Sequence, residues 1–112
     1  MDKDKILEFY QEFFNHQNLS FAKQIIAEDY IQHNPGVNQG RQGLVEAFKK
    51  KFETEDYFQL EIDHILYDLP YVAVFVRSVT RDGETKANVV DLYRIENDQL
   101  VEHWDYFDKR GV

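Results

Sequence analysis

A chain of 112 residues with 21 acidic and 13 basic side chains, a formal charge of −8 and no cysteine has the size of one domain, residues 1–112, with room for a single core. The acidity argues against a nucleic-acid partner, because no basic stripe exists to neutralise phosphates. The lack of cysteine excludes disulfides, a thiol nucleophile and thiolate metal sites, whereas nine Phe, seven Tyr and one Trp predict a core or cavity wall lined by rings.

The N-terminus, Met1 to Lys5, lacks the apolar centre of a signal peptide, and no stretch approaches the roughly 18 apolar residues needed to span a bilayer. A soluble, cytoplasmic protein with no membrane partner is expected. Over residues 3–16, Ile6, Phe9, Tyr10, Phe13 and Phe14 fall at i, i+3, i+4, i+7 and i+8, one apolar stripe of a helix with Asp2 or Asp4 favourable at its start. Ser20 is placed to cap a short second helix that turns Phe21, Ala22, Ile25 and Ile26 inward. Tyr30 to His33 reads as a brief extended segment, Asn34-Pro35-Gly36 as a turn, and Gly40 with Gly43 as a loop before a third helix presenting Leu44, Ala47, Phe48 and Phe52. In that helix Lys49-Lys50-Lys51 precedes Glu53, Glu55 and Asp56, the pattern of a solvated face.

From Tyr57 the period becomes that of strands. Leu60, Ile62, His64 and Leu66 alternate until Pro70, and Tyr71 to Thr80 is so apolar that a strand covered on both faces is expected. Asp82-Gly83 predicts a hairpin, Ala87 to Ile95 a strand, Asn97-Asp98 a second turn, and Leu100 to Phe107 the last strand. Helices followed by an antiparallel meander make an α+β domain. Helices lying across one face of a strongly curved sheet would leave a cone with an open mouth.

The last hairpin carries the chemistry. Asp91 and Asp105 stand among apolar strand residues, where a carboxylate costs several kcal/mol unless it is paired, hydrogen-bonded or protonated. Acid/base work in a pocket is the leading reason to tolerate that cost. A two-residue turn at Asn97-Asp98 sets Asp91 opposite Trp104 and Asp105 opposite Val90. Strict alternation then separates Asp91 and Trp104 from His103 and Asp105, so both aspartates reach one pocket only if a bulge intervenes or the strand end curls. His33, His103, Asp91 and Asp105 together offer metal-ligand chemistry, but without helical HxxxH spacing no metal is expected.

The segments YIQHNPGVNQGRQG (Tyr30 to Gly43) and VVDLYRIENDQLVEHWD (Val89 to Asp105) resemble the SnoaL-like polyketide cyclase family of the nuclear transport factor 2 superfamily, which also holds ketosteroid isomerases and limonene epoxide hydrolases. The resemblance implies a cystatin-like cone, N-terminal helices on a strongly curved antiparallel sheet of four to six strands, and commonly a homodimer through the sheet. It implies Asp105, in HWDYFD, as the acid/base, by analogy with the cyclases and with the WRDYFD segment of epoxide hydrolases. Asp91 matches a second polar pocket residue and the protonated aspartate in the IDHFRF stretch of ketosteroid isomerases. His33, in the HNP turn, is implied at the pocket mouth. Two departures stand out: Asn34 occupies the place of the isomerases' base, and Trp104 that of an arginine beside the hydrolases' key aspartate. The chain also stops at Val112, so a C-terminal lid is not expected.

These readings combine into a cofactor-free acid/base enzyme of cyclase or isomerase type acting on a small hydrophobic carbonyl compound. Asp105, Asp91 and His33 are the candidate catalytic residues. Tyr10, Tyr30, Asn34, Phe48, Phe75 and Trp104 are the candidate substrate contacts. A non-catalytic binding or dimerisation module of the same fold stays open beside it.

Overall fold

The structure, a computed structural model, describes residues 1–109; the expectation about a lid beyond Val112 lies outside them. Helix α1 (Lys3–Phe9) starts where the Asp2 side chain accepts a hydrogen bond from the backbone N–H of Lys5, with Asp4 in the first turn. It runs on as a π-helical segment, Tyr10–Asn15, so that Tyr10, Phe13 and Phe14 are buried together with Ile6 and Phe9. The expected cap at Ser20 is not formed. Its hydroxyl donates to Asn18 Oδ1, and a 3-10 turn (Leu19–Phe21) leads into a single helical turn, α2 (Ala22–Ile25). Ile26 then opens strand β1 (Ile26–Gln32), longer than the extended segment expected from the sequence. Helix α3 (Gly40–Thr54) begins at the two glycines that were expected to lie in a loop. Gly40 adopts φ 83°, and a Cβ on Gly43 would sit 2.1 Å from the carbonyl oxygen of Asn38.

Strands β2 (Gln59–Asp68), β3 (Tyr71–Val79), β4 (Thr85–Glu96) and β5 (Gln99–Lys109) form the predicted meander. Asn97 and Asp98, at φ 52° and 60°, make the tight turn between β4 and β5. The sheet is open, in the order β1-β5-β4-β3-β2, and it is mixed rather than antiparallel because β1 pairs in parallel with β5. Helices cover one face only. Val72, Val74 and Val76 of β3 are buried beneath them, while Tyr71 on the other side is 39% exposed, so β3 is a one-sided strand and not the doubly covered one expected. The core joins Ile6, Phe9, Phe13, Ile25 and Tyr30 to Val72, Val74, Tyr93 and Leu100. Among the described residues no helix is long and apolar enough to cross a membrane.

Two bulges decide which side chains face inward. In the β4–β5 ladder Ile95 pairs with Leu100 but Arg94 pairs with Glu102, leaving Val101 as the extra residue. In the β3–β4 ladder Ser78 pairs with Ala87 but Val79 with Thr85, leaving Lys86 as the extra one. The first bulge corrects the expected register. Asp91 lies opposite Asp105, Leu92 opposite Trp104 and Tyr93 opposite His103.

Candidate active site

With that register, alternation places Val89, Asp91 and Tyr93 of β4 and His103, Asp105 and Phe107 of β5 on the helix-covered face. They line one wall of a cavity of about 900 Å³. Across from them stand Phe9 and Phe14 of the N-terminal segment, Leu44 and Phe48 of α3, and Phe58. The interior is therefore ring-rich with a polar patch at one end, as a small-molecule site requires.

The patch is a chain of hydrogen bonds whose direction can be assigned. Gln32 Oε1 accepts from the backbone N–H of Asn34 at 3.2 Å, which fixes the orientation of the Gln32 amide. His103 Nδ1, 2.8 Å from the same oxygen, must donate to it. His103 Nε2 lies 2.9 Å from Asp91 Oδ1, so one proton is shared between imidazole and carboxylate. Tyr10 donates its hydroxyl to Asp91 Oδ2. Since that uses the only proton of Tyr10, the Tyr93 hydroxyl, 2.8 Å away, donates to Tyr10 in turn. Asp91 and His103 are both buried, and each polar side-chain atom of the pair has a partner. Gln32 is itself clamped, since its backbone N–H donates to Gln39 Oε1 and its carbonyl accepts from Gln39 Nε2.

Asp105 differs from Asp91. It is half-buried, lines the cavity, and accepts a hydrogen bond from Asn34 Nδ2 at 3.0 Å. The turn after β1 is pinned for this purpose: Asn34 Oδ1 accepts from the Gly36 N–H and Asn34 O from the Val37 N–H. Tyr30 also lines the cavity, stacked 6.2 Å from the His103 ring, and its hydroxyl has no hydrogen-bond partner among the described residues. Burial, and then the charges of Asp91 and Asp105, push the Tyr30 phenol well above its ordinary value, so it stays a donor at any physiological pH. Tyr10 and Tyr93 are pushed up in the same way, burial first and Asp91 second.

The other candidates divide between the cavity side and the outer face. Tyr10 stands behind Asp91, and Phe48 is on the cavity wall. His33, Trp104 and Phe75 are on the far side of the sheet. The His33 ring stacks on Trp104 at 4.7 Å with an interplanar angle of 4°, and its Nε2 meets Glu102 Oε2 at 2.7 Å. Hydrogen bonds from His33 and Arg94 hold the Glu102 carboxyl below its ordinary value. Phe75 pairs with Val90 in the outer row, beside His64. Gln32 and Tyr93 were not singled out from the sequence. Their signal was alternation: Gln32 follows Tyr30 by two residues, and Tyr93 follows Asp91 by two.

Among the described residues, the group that could hold a divalent cation is Asp91, His103 and Asp105, whose ligating atoms lie within 4.8 Å of one another. A cation at His103 Nε2 would have to displace the proton shared with Asp91.

A family model described as SnoaL-like polyketide cyclase matches residues 4–112. Among solved structures, TsrD from Streptomyces laurentii superimposes with a TM-score of 0.78 at 17% identity, covering 96% of this chain and 91% of that one. A proposed polyketide cyclase from Acidithiobacillus ferrooxidans gives 0.78 at 19% identity, over 98% of this chain and 89% of the other. An NTF2-like protein of unknown function from Cytophaga hutchinsonii gives 0.74 at 21%, over 95% and 88%. At such identities the likeness is one of fold. No curated protein matches the sequence.

Proposed function

The chain belongs to the SnoaL-like polyketide cyclase family, and from that premise we propose that it moves a proton on an apolar carbonyl compound held in the cavity, in a cyclase- or isomerase-type reaction that draws on side-chain acids and bases. The observation that carries this reading is the Val101 bulge, which turns Asp105 onto the same cavity wall as the buried Asp91–His103 pair. A regular ladder would have sent one aspartate to the outer face.

Asp105 is the base in this reading. It is open to the cavity, its second oxygen is held by Asn34, and it removes the proton alpha to the carbonyl. The developing enolate oxygen takes a hydrogen bond from the Tyr30 hydroxyl, a fixed donor in a site walled by rings. The nucleophilic carbon then attacks a second carbonyl of the folded substrate. A carbon–carbon bond forms, and the new alkoxide recovers the proton from the Asp105 carboxyl, so no proton is gained or lost overall. Asp91 and His103 lie beneath the reacting atoms. Their shared proton keeps this buried patch from presenting two bare carboxylates to the substrate. His33, expected to help, is replaced in this reading by Tyr30.

The test follows alpha-proton exchange of 2-tetralone, a flat apolar ketone, in D2O by proton NMR. Wild-type protein is expected to exceed the buffer rate. Asp105→Asn should lower the excess by about 10²- to 10⁴-fold, and Tyr30→Phe by about 10²- to 10³-fold. Wild-type exchange no faster than buffer, or an undiminished Asp105→Asn rate, removes the reading.

A further inference from the structure

We propose that the end of the cavity remote from Asp105 is a carboxylate-binding rim, and that the natural ligand is an elongated apolar molecule with its carboxylate there and its reacting carbonyl at the aspartates. The proposal rests on the preceding reading for the position of the carbonyl. The rim stands on its own observations.

The first is a departure from strand alternation. Ala87 faces inward with Val89 and Asp91, so Lys86 should face outward, yet both Lys86 and Ala87 line the cavity. The bulge makes this possible, because Lys86 is its extra residue and is re-aimed by it. The second is charge segregation. In a chain of charge −8, the Lys and Arg side chains that line the cavity among the described residues are Lys50, Lys51 and Lys86, the first two adjacent on α3. Lys51 and Lys86 meet at Glu55, at 2.6 and 3.9 Å, and Lys50 makes no ion pair among the described residues. One glutamate against three lysines leaves two positive charges on the rim. Lys51, in the last turn of α3, also complements the helix dipole. Lys86 is on a strand and has no such reason to be there.

The third is distance. From Lys86 to Asp91 is five residues of β4, roughly 15 Å at the rise of a strand. An anion at the rim is thus kept away from Asp91 and Asp105, whose charges would repel it, and the Phe107 ring, opposite Val89, lines the cavity between the two ends. A neutral molecule would gain nothing from the rim, and a compact anion would not span it.

The experiment compares cis-parinaric acid with its methyl ester, one chain with and without the charge, by fluorescence titration of the full protein. The acid is expected to bind more tightly than the ester, and added salt should weaken the acid alone. In Lys50→Gln/Lys86→Gln the acid should lose about tenfold, near threefold for each exposed cation, with the ester within twofold of wild type. Lys50→Arg/Lys86→Arg should restore the acid. Equal binding of acid and ester, or equal loss of both in the Gln variant, overturns the rim. Circular dichroism of each variant separates this from misfolding. Tetralone exchange is scored separately, so an inactive protein that still prefers the acid refutes the catalytic reading and leaves the rim standing.

Discussion

The direction assigned to the buried hydrogen-bond chain can be measured through Tyr10→Phe. The substitution removes one oxygen and leaves the ring, so no cavity term enters, and Tyr10 is only 2% exposed. Two things are lost: the bond that Tyr10 donates to Asp91 Oδ2 and the acceptor used by Tyr93. A hydrogen bond to a charged group contributes about 1.5 to 3 kcal/mol, and an orphaned buried hydroxyl costs about 1 kcal/mol more. The sum is about 2.5 to 4 kcal/mol, a large part of the roughly 5 to 15 kcal/mol typical of a domain. Tyr93→Phe breaks only a bond between neutral groups and should cost about 1 kcal/mol. The double variant should cost about 1 kcal/mol less than the two singles added, because the hydroxyl orphaned by the first change is deleted by the second. Urea unfolding followed by the fluorescence of Trp104, the one tryptophan, reads all three. If Tyr93→Phe proves as costly as Tyr10→Phe, or if the two costs simply add, the chain does not run from Tyr93 through Tyr10 to Asp91.

In a spectrophotometric alkaline titration, Tyr10, Tyr30 and Tyr93 should stay unionised in the folded protein, since burial raises all three well above the ordinary 10.0. Their folded values exceed the unfolded one, so their contribution to stability is complete below about pH 10 and is lost as pH climbs towards the folded values. The late tyrosinate signal should therefore coincide with loss of the far-ultraviolet helix signal, and a gradual rise with secondary structure intact would contradict their burial. Gly43→Ala, ordinarily a gain of about 1 kcal/mol inside a helix, should instead destabilise by about 1 to 3 kcal/mol, because the new Cβ would meet the Asn38 carbonyl at 2.1 Å. A raised thermal midpoint would show that the turn before α3 yields easily.

Much of the fold was written locally. The ring stripe of the N-terminal helical segment, the left-handed pair at Asn97-Asp98 and the meander of apolar strands each follow from residues close in sequence, whose preferences survive packing. The HNP turn and the aspartates of the last hairpin marked the site for the same reason, and Asn34 does touch Asp105. Tertiary structure decided the rest. Val101 becomes a bulge because β5 pairs with both β4 and β1 while burying Leu100 and His103, which strict alternation would put on opposite faces. That one extra residue carries Trp104 to the outer face and Asp105 to the inner. A strand's period of two makes a slip of a single position exchange its faces, and the choice is made by what packs on either side rather than by the strand itself.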